Sequence, residues 1–202
     1  MDADRLGRQI EFLIEIDKLK HIVRQTWLVD QSRKENDAEH SWHLAVAAIL
    51  LYEHADDPKP DLLRVLKMVV VHDLVEIDAG DTYAYDATAV TGQAERERKA
   101  ADRLFKMLPP DQEAEFRGLW EEIEARQTPE ARFAAALDRF QPFLWNYRTQ
   151  GRAWMEHEVT ADRVFDRMHP VVEGSARLWE LTCDLLQDAV KKGYVLDGTR
   201  PR

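Results

Sequence analysis

The sequence predicts an all-α fold built as one domain. Apolar residues recur three or four positions apart along most of the 202 residues, and proline, glycine and capping residues separate these runs. No internal repeat, low-complexity tract or long linker divides the chain. We therefore expect residues 1–202 to form a single helical domain whose last helices lie near 159–192.

The first two predicted helices flank an irregular segment. Residues 5–20 carry apolar side chains near a three-to-four spacing, which is typical of an amphipathic helix. Residues 21–37, "HIVRQTWLVDQSRKEND", break that spacing and predict a loop or a short irregular helix. The alanines and leucines of "AEHSWHLAVAAILLYEHA" predict a second helix with Asp37 as its N-cap.

A third helix is predicted from Asp61 onwards, in "LLRVLKMVVVHDLVEI". Its β-branched run is also compatible with a buried strand, but the helical spacing continues from Leu62 and no partner strand lies nearby. The helix is expected to end around Ala79–Gly80, because glycine suits a C-terminal cap. The loop "DTYAYDATAVTG" that follows is expected to lie over this end of the helix.

Proline positions delimit the remaining predicted helices. Pro109 and Pro110 end one helix, Thr128-Pro129 supplies an N-cap and a first helical residue, and Pro170 separates the last two. The predicted ranges are 93–107, 111–126, 129–149, 159–168 and 171–192.

Bulk composition excludes several classes of protein. The formal net charge of −10 argues against binding to a nucleic-acid polymer, whose phosphates require a basic surface. No apolar run approaches the roughly 20 residues of a membrane helix, and "MDADRLGRQI" lacks the basic-then-apolar order of a secretory signal. We therefore expect a cytoplasmic protein without membrane contact. Cys183 is the single cysteine, which excludes an intrachain disulfide and a cysteine-based zinc cluster.

Ionisable residues follow the valine run of the third predicted helix. The stretch "VVVHDLVEIDAGD" contains four that are candidates for chemistry: His72, Asp73, Glu76 and Asp81. Helical spacing places the first three on one side of the helix. Burying carboxylates beside valines is costly unless they pair with cations or bind a metal. No lysine or arginine lies between positions 68 and 91, so the cation must come from elsewhere in the fold or from solution.

Two other residues are candidates to complete this site. His40 lies in the first turn of the second predicted helix, and Asp138 is an isolated acid within "RFAAALDRFQPFLW". Together with His72 and Asp73 they offer a mixed nitrogen and oxygen donor set, which suits Co, Mn, Fe, Ni or Zn better than calcium. The alternatives are a surface or hydrogen-bonded His40 and an Asp138 that pairs with a nearby arginine.

Four motifs carry a resemblance to a known family. "AEHSWHLA", "VHDLVE", "GD" and "LDRFQP", in this order and at these separations, resemble the HD-domain metal-dependent phosphohydrolases, and most of all their 5′-deoxynucleotidase branch. The resemblance extends from about Arg24 to Asp138 and more loosely through the final helices. It implies an HD-type helical bundle with its motif-bearing core at about 24–150.

The resemblance also implies roles for individual residues. The residues implied to bind one divalent metal are His40, His72, Asp73 and Asp138. Glu76 and Asp81 are implied to assist as proton-transfer or second-ion groups. An arginine and a tryptophan upstream are implied to hold the nucleotide, and the candidates are Arg24, Trp27 and Arg33. Some family members place the two residues next to each other, whereas "RQTW" separates them, so Arg33 is the preferred phosphate ligand. For Trp27, a core or interface role is the alternative to base stacking.

These observations predict a metal-dependent phosphomonoesterase that converts deoxyribonucleoside 5′-monophosphates to nucleoside and phosphate. The alternatives are an HD phosphohydrolase for another nucleotide or phosphoester, and a non-catalytic nucleotide- or metal-binding module. We also expect a homodimer, because the resembling family commonly dimerises and the last helices are rich in apolar residues. Those residues are Trp154, Leu178, Trp179 and Leu181.

Overall fold

Eleven α-helices account for most of residues 3–86 and 91–198, which are the part of the chain that the computed structural model describes. In chain order they are α1 Ala3–Glu15, α2 Asp37–Leu51, α3 Leu62–Val71, α4 Glu76–Ala79, α5 Gln93–Phe105, α6 Pro110–Ala125, α7 Pro129–Arg148, α8 Arg152–Glu156, α9 Ala161–Met168, α10 Pro170–Gly174 and α11 Ala176–Lys192. Short 3-10 helices lie at Ile16–His21, Tyr52–His54 and His72–Val75. The all-α prediction is confirmed.

Helix α7 lies at the centre of the fold. It packs against α2, α3, α6, α10 and α11, and residues 133–137 of its "FAAAL" segment are all buried. The small side chains allow close approach: a Cβ atom on Gly174 of α10 would lie 2.4 Å from the carbonyl oxygen of Arg132. Glycine is therefore required where α10 crosses α7.

The valine-rich segment is a helix, as predicted, but a shorter one. Val65, Met68 and Val69 are completely buried, because α3 packs between α2 and α7. The regular helix ends at Val71 and continues as the 3-10 turn His72–Val75 before α4 begins. This tighter turn changes the direction of the chain where the ionisable residues start. Gly80, with a φ of 75°, forms the C-cap of α4.

The prediction of a loop or irregular helix for residues 21–37 was wrong. Strand β1, Val23–Trp27, pairs antiparallel with strand β2, Lys34–Asn36. Both strands are short; β1 mixes polar with apolar residues and β2 is entirely polar, so neither shows a clean alternation in the sequence. In β2 the middle residue, Glu35, is fully buried between two half-buried neighbours.

The N-cap of α2 is Asn36 rather than Asp37. The Asn36 side chain accepts a hydrogen bond from the backbone N–H of Glu39, and the Glu39 carboxylate accepts one from the backbone N–H of Asn36. This reciprocal pair satisfies two backbone donors at the start of the helix. Asp37 therefore does not cap the helix, and its carboxylate points into the protein, where it is completely buried.

The C-terminal region differs from its prediction in two ways. Pro170 begins α10 instead of separating two long helices, and the break before α11 falls at Ser175, which caps α11 through the backbone N–H of Leu178. Trp154 and Leu178, which were expected to contribute to a dimer surface, are core residues with 1% and 3% exposure.

An apolar face is exposed on α1 instead. Its exposed large apolar residues, each with 47–64% of its surface accessible to solvent, are Leu6, Ile10, Leu13 and Ile14. They lie on one side of an amphipathic helix. Within the described ranges, every helix falls short of the length and apolar character that crossing a membrane requires.

Candidate metal centre and substrate cavity

A cavity of about 280 Å³ opens where the end of α3 meets α7. Of the residues predicted for the site, six line it: Arg24, His72, Asp73, Glu76, Asp81 and Asp138. They come from β1, the His72–Val75 turn, α4, the loop after α4 and the middle of α7. The tertiary fold thus brings together residues that are more than 100 positions apart in the chain.

His40 lies behind this cavity and is completely buried. The capping box at the start of α2 places it in the first turn, with its ring facing α7. Its Nε2 atom is 3.0 Å from Oδ1 of Asp138 and 3.8 Å from Oδ2 of Asp73. His40 is therefore within reach of both predicted carboxylate ligands.

His72 directs its Nε2 atom toward the same two carboxylates as His40, those of Asp73 and Asp138. Its Nδ1–H donates to the Val69 carbonyl oxygen at 3.0 Å, because a carbonyl can only accept. Nε2 is consequently the free nitrogen, and it lies 3.0 Å from Oδ1 of Asp73 and 3.6 Å from Oδ1 of Asp138. It is buried and makes no hydrogen bond of acceptable geometry. A buried imidazole nitrogen without a partner, facing two carboxylates, is suited to a bound cation.

The donor atoms fit a divalent metal. One ligand atom from each of His40, His72 and Asp73 lies within 4.8 Å of the others, and Asp138 Oδ1 faces both imidazoles. Two imidazole nitrogens and two carboxylate oxygens suit first-row transition metals. The four predicted metal ligands therefore converge on one buried point at the cavity wall.

The ionisation of these groups shows how strongly they interact. Burial favours the neutral forms of His72 and Asp73, but their mutual attraction outweighs it. This attraction raises the pKa of His72 to about 10 and lowers the pKa of Asp73 to about 2. Burial, and then the charge of Arg24, lowers the pKa of His40 and keeps its ring neutral. The cluster therefore attracts positive charge, whether a proton or a metal ion supplies it.

Arg24 supplies the positive charge that is missing between positions 68 and 91. Its Nη1 donates to Oδ2 of Asp73 at 2.9 Å and to Oδ1 of Asp37 at 3.0 Å. Burial opposes the charge on the guanidinium, but Asp73, Asp81 and Asp37 outweigh it and raise the pKa of Arg24 well above its ordinary value. The sequence left two sources for this cation, another part of the fold or the solution. Arg24 is a cation that the fold itself provides.

Glu76 and Asp81 are carboxylates that favour their protonated form. Burial, followed by the charges of Asp73 and Asp37, raises the pKa of Glu76 strongly, and its Oε2 atom has no hydrogen-bond partner. Burial also raises the pKa of Asp81, which lies on the loop at the cavity. One oxygen each from Asp37, Asp73 and Glu76 also lies within 4.8 Å of the others. These groups are placed to hold or transfer protons beside the metal ligands.

The structure does not place Arg33 or Trp27 at the cavity. Arg33 is exposed and both of its terminal nitrogens donate to the Glu39 carboxylate. The Trp27 indole Nε1–H donates to Glu156 at 3.0 Å, and the Arg152 guanidinium lies 3.2 Å from its ring centre. Trp27 therefore attaches the β1–β2 hairpin to α8, a contact of the kind that the core or interface alternative describes.

Two arginines at the cavity were missed by the sequence reasoning. Arg139 lines the cavity and pairs with Asp138, while Arg167 of α9 approaches from the other side. Arg167 is exposed to solvent, but partial desolvation and then the charge of Arg139 lower its pKa to about 10. In the described part of the chain, no carboxylate is within salt-bridge distance of Arg167. For these two arginines, the sequence indicated only that Asp138 could pair with a nearby arginine, and it contained no indication for Arg167.

The loop after α4 covers one side of the cavity, as expected. Residues 81–85 line it, and Tyr85 is held by Arg163, whose guanidinium donates to the Tyr85 carbonyl oxygen. The rest of the predicted loop includes residues 87–90, which lie outside the described residues.

Comparisons with known proteins agree with this geometry. A family model described as "HD domain" matches residues 16–179. A 5′-deoxynucleotidase HDDC2 of Xenopus laevis is 31% identical over 136 residues, which are 67% of this chain and 66% of that protein. The 5′-deoxynucleotidase hdd1 of Schizosaccharomyces pombe is 28% identical over 183 residues, 86% of this chain and 89% of the relative. The match to the HDDC2 relatives of Xenopus laevis and Homo sapiens spans about two thirds of their length, 66% and 65%.

Solved structures show the same architecture. A predicted metal-dependent phosphohydrolase from Magnetospirillum magnetotacticum MS-1 is 52% identical and superposes with a TM-score of 0.91, covering 96% of this chain and 100% of that one. The PH0347 protein from Pyrococcus horikoshii OT3 is 22% identical, with a TM-score of 0.60, and covers 91% of this chain and 99% of that one. This second likeness concerns the fold alone.

Proposed function

The chain belongs to the HD domain family, and we propose that it is a metal-dependent phosphomonoesterase that hydrolyses deoxyribonucleoside 5′-monophosphates to nucleoside and phosphate. The observation that carries the proposal is the convergence of two imidazoles and two carboxylates at the wall of a cavity that also contains arginines. Metal ligands and anion-binding groups share one small volume there. The relatives named 5′-deoxynucleotidase support the substrate class.

The residues that would hold the metal are His40, His72, Asp73 and Asp138. When bound, a divalent cation supplies charge that neutralises phosphoryl oxygens and lowers the pKa of a coordinated water. Its identity among Co, Mn, Fe, Ni and Zn is a matter for metal analysis. Arg24 holds Asp73 in place through the 2.9 Å ion pair, so that this carboxylate keeps one orientation toward the imidazoles.

Arg139 and Arg167 are the proposed phosphate-binding residues. Both line the cavity, and a guanidinium matches the oxygens of a phosphoryl group with two parallel hydrogen bonds. Arg167 has its donors available, since no described carboxylate engages them. Arg24 was one of three sequence candidates for this role; its contacts with Asp37 and Asp73 make it a support for the site and a secondary phosphate ligand.

Proton transfer is assigned to the two carboxyl groups beside the metal ligands. In the hydrolysis, a water oxygen attacks phosphorus, the bond from phosphorus to the ester oxygen breaks, and that oxygen must gain a proton. Glu76 is buried next to Asp73 and favours its protonated form in the metal-free site; the charge of a bound divalent cation would lower its pKa, so that its carboxylate could take the proton of the attacking water. Asp81 lies on the loop that lines the cavity, and its raised pKa suits it to protonate the leaving oxygen.

An activity panel tests the proposal. The purified chain would be assayed with Co²⁺ or Mn²⁺ against deoxyribonucleoside and ribonucleoside 5′-monophosphates, deoxynucleoside triphosphates and a general phosphomonoester. The Asp73→Asn variant is the inactive control, and the variant Asp166→Asn on exposed α9 surface is the matched neutral one. We expect the wild type and Asp166→Asn to release phosphate from deoxyribonucleoside monophosphates, and Asp73→Asn to release none. Preference for another phosphoester, or metal and nucleotide binding without turnover, would replace the proposal by one of its two alternatives.

A homodimer is proposed with α1 at its interface. The support is the exposed apolar face formed by Leu6, Ile10, Leu13 and Ile14. Light scattering coupled to size-exclusion chromatography measures the mass, and a Leu13→Glu variant is expected to shift it toward the 23.5 kDa of one chain. A monomeric wild type would contradict the proposal. The cytoplasmic location stays a prediction.

A further inference from the structure

Glu35 is a completely buried carboxylate that the proposed reaction does not use. It lies in the middle of β2, where strand geometry directs it inward, away from the cavity and toward α7. Its Oε1 atom accepts a hydrogen bond from Gln141 Nε2 at 3.1 Å, while its Oε2 atom has no hydrogen-bond partner. Burying a carboxylate at such a place costs free energy, so a role that a neutral side chain does not fulfil is to be expected.

Gln141 connects this carboxylate to a predicted metal ligand. Its Oε1 atom is 2.8 Å from Nδ1 of His40, and Gln141 is itself 5% exposed. The three side chains therefore form a buried chain of hydrogen bonds from β2 through α7 to α2. It ends on the ring nitrogen of His40 that faces away from Asp73 and Asp138.

Each hydrogen bond in this chain has a definite direction. The amide NH₂ of Gln141 donates to Oε1 of Glu35, since a carboxylate oxygen accepts. The amide oxygen of Gln141 then faces His40 and accepts from Nδ1–H. In the metal-free structure Nε2 faces the Asp138 carboxylate at 3.0 Å, which also accepts, so the chain holds the ring through Nδ1 and leaves Nε2 directed at the ligand carboxylates.

We propose that Glu35 is a positioning residue that acts through Gln141 to hold the His40 ring at Nδ1, so that Nε2 keeps its direction toward Asp73 and Asp138. The proposal rests on the proposed function in one respect: His40 Nε2 is taken to bind the metal. A neutral glutamine at position 35 would fill the same space, but its amide can turn either way. The orientation of Gln141 would then no longer be determined, and Nδ1 of His40 would lose its fixed acceptor.

Three variants separate the roles of charge and shape. Glu35→Gln removes the charge at constant shape. The exchange Glu35→Gln with Gln141→Glu places an accepting carboxylate directly on His40 Nδ1 and a donating amide behind it. Glu53→Gln is the matched control, because Glu53 is an exposed glutamate outside the cavity. Thermal unfolding of the metal-free proteins establishes that each variant is folded.

The first measurement is Co²⁺ affinity by calorimetry. Loss of a group that orients a metal-binding histidine lowers metal affinity about 10- to 100-fold, so Glu35→Gln should bind Co²⁺ at least about 10-fold more weakly than the wild type. The exchange variant should recover most of that loss, and Glu53→Gln should show none. A wild-type affinity for Glu35→Gln would overturn the proposal.

The second measurement is the hydrogen bond at His40 Nδ1. Nitrogen-15 NMR of the histidine side chains in Zn²⁺-loaded protein reports the Nδ1–H of His40 and its exchange with water. We expect this hydrogen to be protected from exchange in the wild type and in the exchange variant, and to exchange faster in Glu35→Gln. An unchanged His40 signal in Glu35→Gln would also overturn the proposal. A wild type that binds Co²⁺ yet hydrolyses no phosphoester contradicts the proposed function and leaves this inference standing.

Discussion

His40 Nε2 and Asp138 Oδ1 lie 3.0 Å apart although 98 positions separate the two residues in the chain. The first turn of α2 and the middle of α7 meet here because both helices contribute to the same core. The contact joins the two predicted ligands that are most distant from the His72-Asp73 pair in sequence. Asp138 Oδ1 also lies 3.6 Å from Nε2 of His72, so one carboxylate oxygen faces both imidazoles.

Replacing Asp138 should therefore remove metal binding. Asp138→Asn keeps the shape but removes the charge that faces both imidazoles, and it leaves Arg139 without its carboxylate partner. Calorimetry should show a loss of Co²⁺ affinity greater than the roughly 100-fold expected for a group outside the ligand set. Asp166→Asn, on the exposed side of α9, is the control. Retention of wild-type affinity by Asp138→Asn would remove this residue from the metal centre.

Arg24 should matter for stability in the absence of any metal. Asp37 is completely buried and Asp73 nearly so, and Arg24 is the cation that contacts both. Removing one member of a buried ion pair typically costs about 3–5 kcal/mol, because the other is left unpaired. Urea unfolding of Arg24→Met, measured with a chelator present, should show a loss of this order.

A second substitution tests the cause of that loss. Adding Asp37→Asn to Arg24→Met removes one unpaired charge and should restore part of the free energy of unfolding. The exposed pair Arg177–Glu180 provides the comparison: Arg177→Gln should change stability by less than about 0.5 kcal/mol. Additive losses in the double variant would mean that Arg24 acts through packing instead of charge.

Arg167 should contribute to substrate affinity but not to metal affinity. It lines the cavity without a described carboxylate partner, so its guanidinium is available for the phosphoryl group. A charge-assisted hydrogen bond contributes about 1.5–3 kcal/mol, so Arg167→Gln should raise the KM for a deoxyribonucleoside monophosphate about 10- to 100-fold. Arg33→Gln is the matched control, since Glu39 holds that guanidinium outside the cavity. A larger effect of Arg33→Gln would restore the original preference for Arg33 as phosphate ligand.

Glu76 should affect the chemical step. Glu76→Gln keeps a side chain of the same size next to Asp73 but can no longer accept a proton. The expected outcome is a fall in kcat of about 100-fold or more, with Co²⁺ affinity at the His40 centre changed only a few-fold. Glu53→Gln should behave as the wild type in both measurements. If kcat stays within a few-fold, proton transfer must be assigned to another group, and Asp81 is the next candidate.

The sequence was informative where an ionisable residue interrupts an apolar pattern. His72 and Asp73 follow three valines and Asp138 follows an alanine run, and the ordered motifs added His40. These residues are unusual in their local context, so local reasoning and a family resemblance find them. The helices around them were predicted for the same reason, because amphipathic spacing is a property of neighbouring positions.

Contacts over long sequence separations were not accessible in this way. The pairing of Arg24 with Asp73 spans 49 positions, and neither the arginine nor its surroundings mark it as buried. Arg167 lies in a charged, unremarkable helix, and only the packing of α9 directs it into the cavity. The β1–β2 hairpin was missed because strands of five and three residues offer too few positions for a period to be visible.

The charge of Glu35 should make the metal-free protein less stable as the pH rises. Burial raises the pKa of this carboxyl from its ordinary value of 4.5 to about 7. Between these two values the folded chain holds a proton that the unfolded chain has lost, so the free energy of unfolding falls as the pH increases. Below pH 4.5 both states are protonated and the effect vanishes; above about pH 7 it is complete.

Glu35→Gln has no such group, which makes its stability the measure of this effect. Its Tm should equal that of the wild type near pH 4.5 and exceed it by several degrees at pH 8, since each kcal/mol shifts the Tm of a domain of this size by roughly 2–4 °C. Glu53→Gln should show no difference at either pH, because that side chain is exposed. The variant would then be more stable and yet bind Co²⁺ more weakly, which separates the positioning role of Glu35 from any contribution to folding. A constant difference in Tm across this pH range would show that Glu35 has the same pKa in the folded and the unfolded chain, and a difference that still grows above pH 7 would show that Glu35 stays protonated in the folded protein.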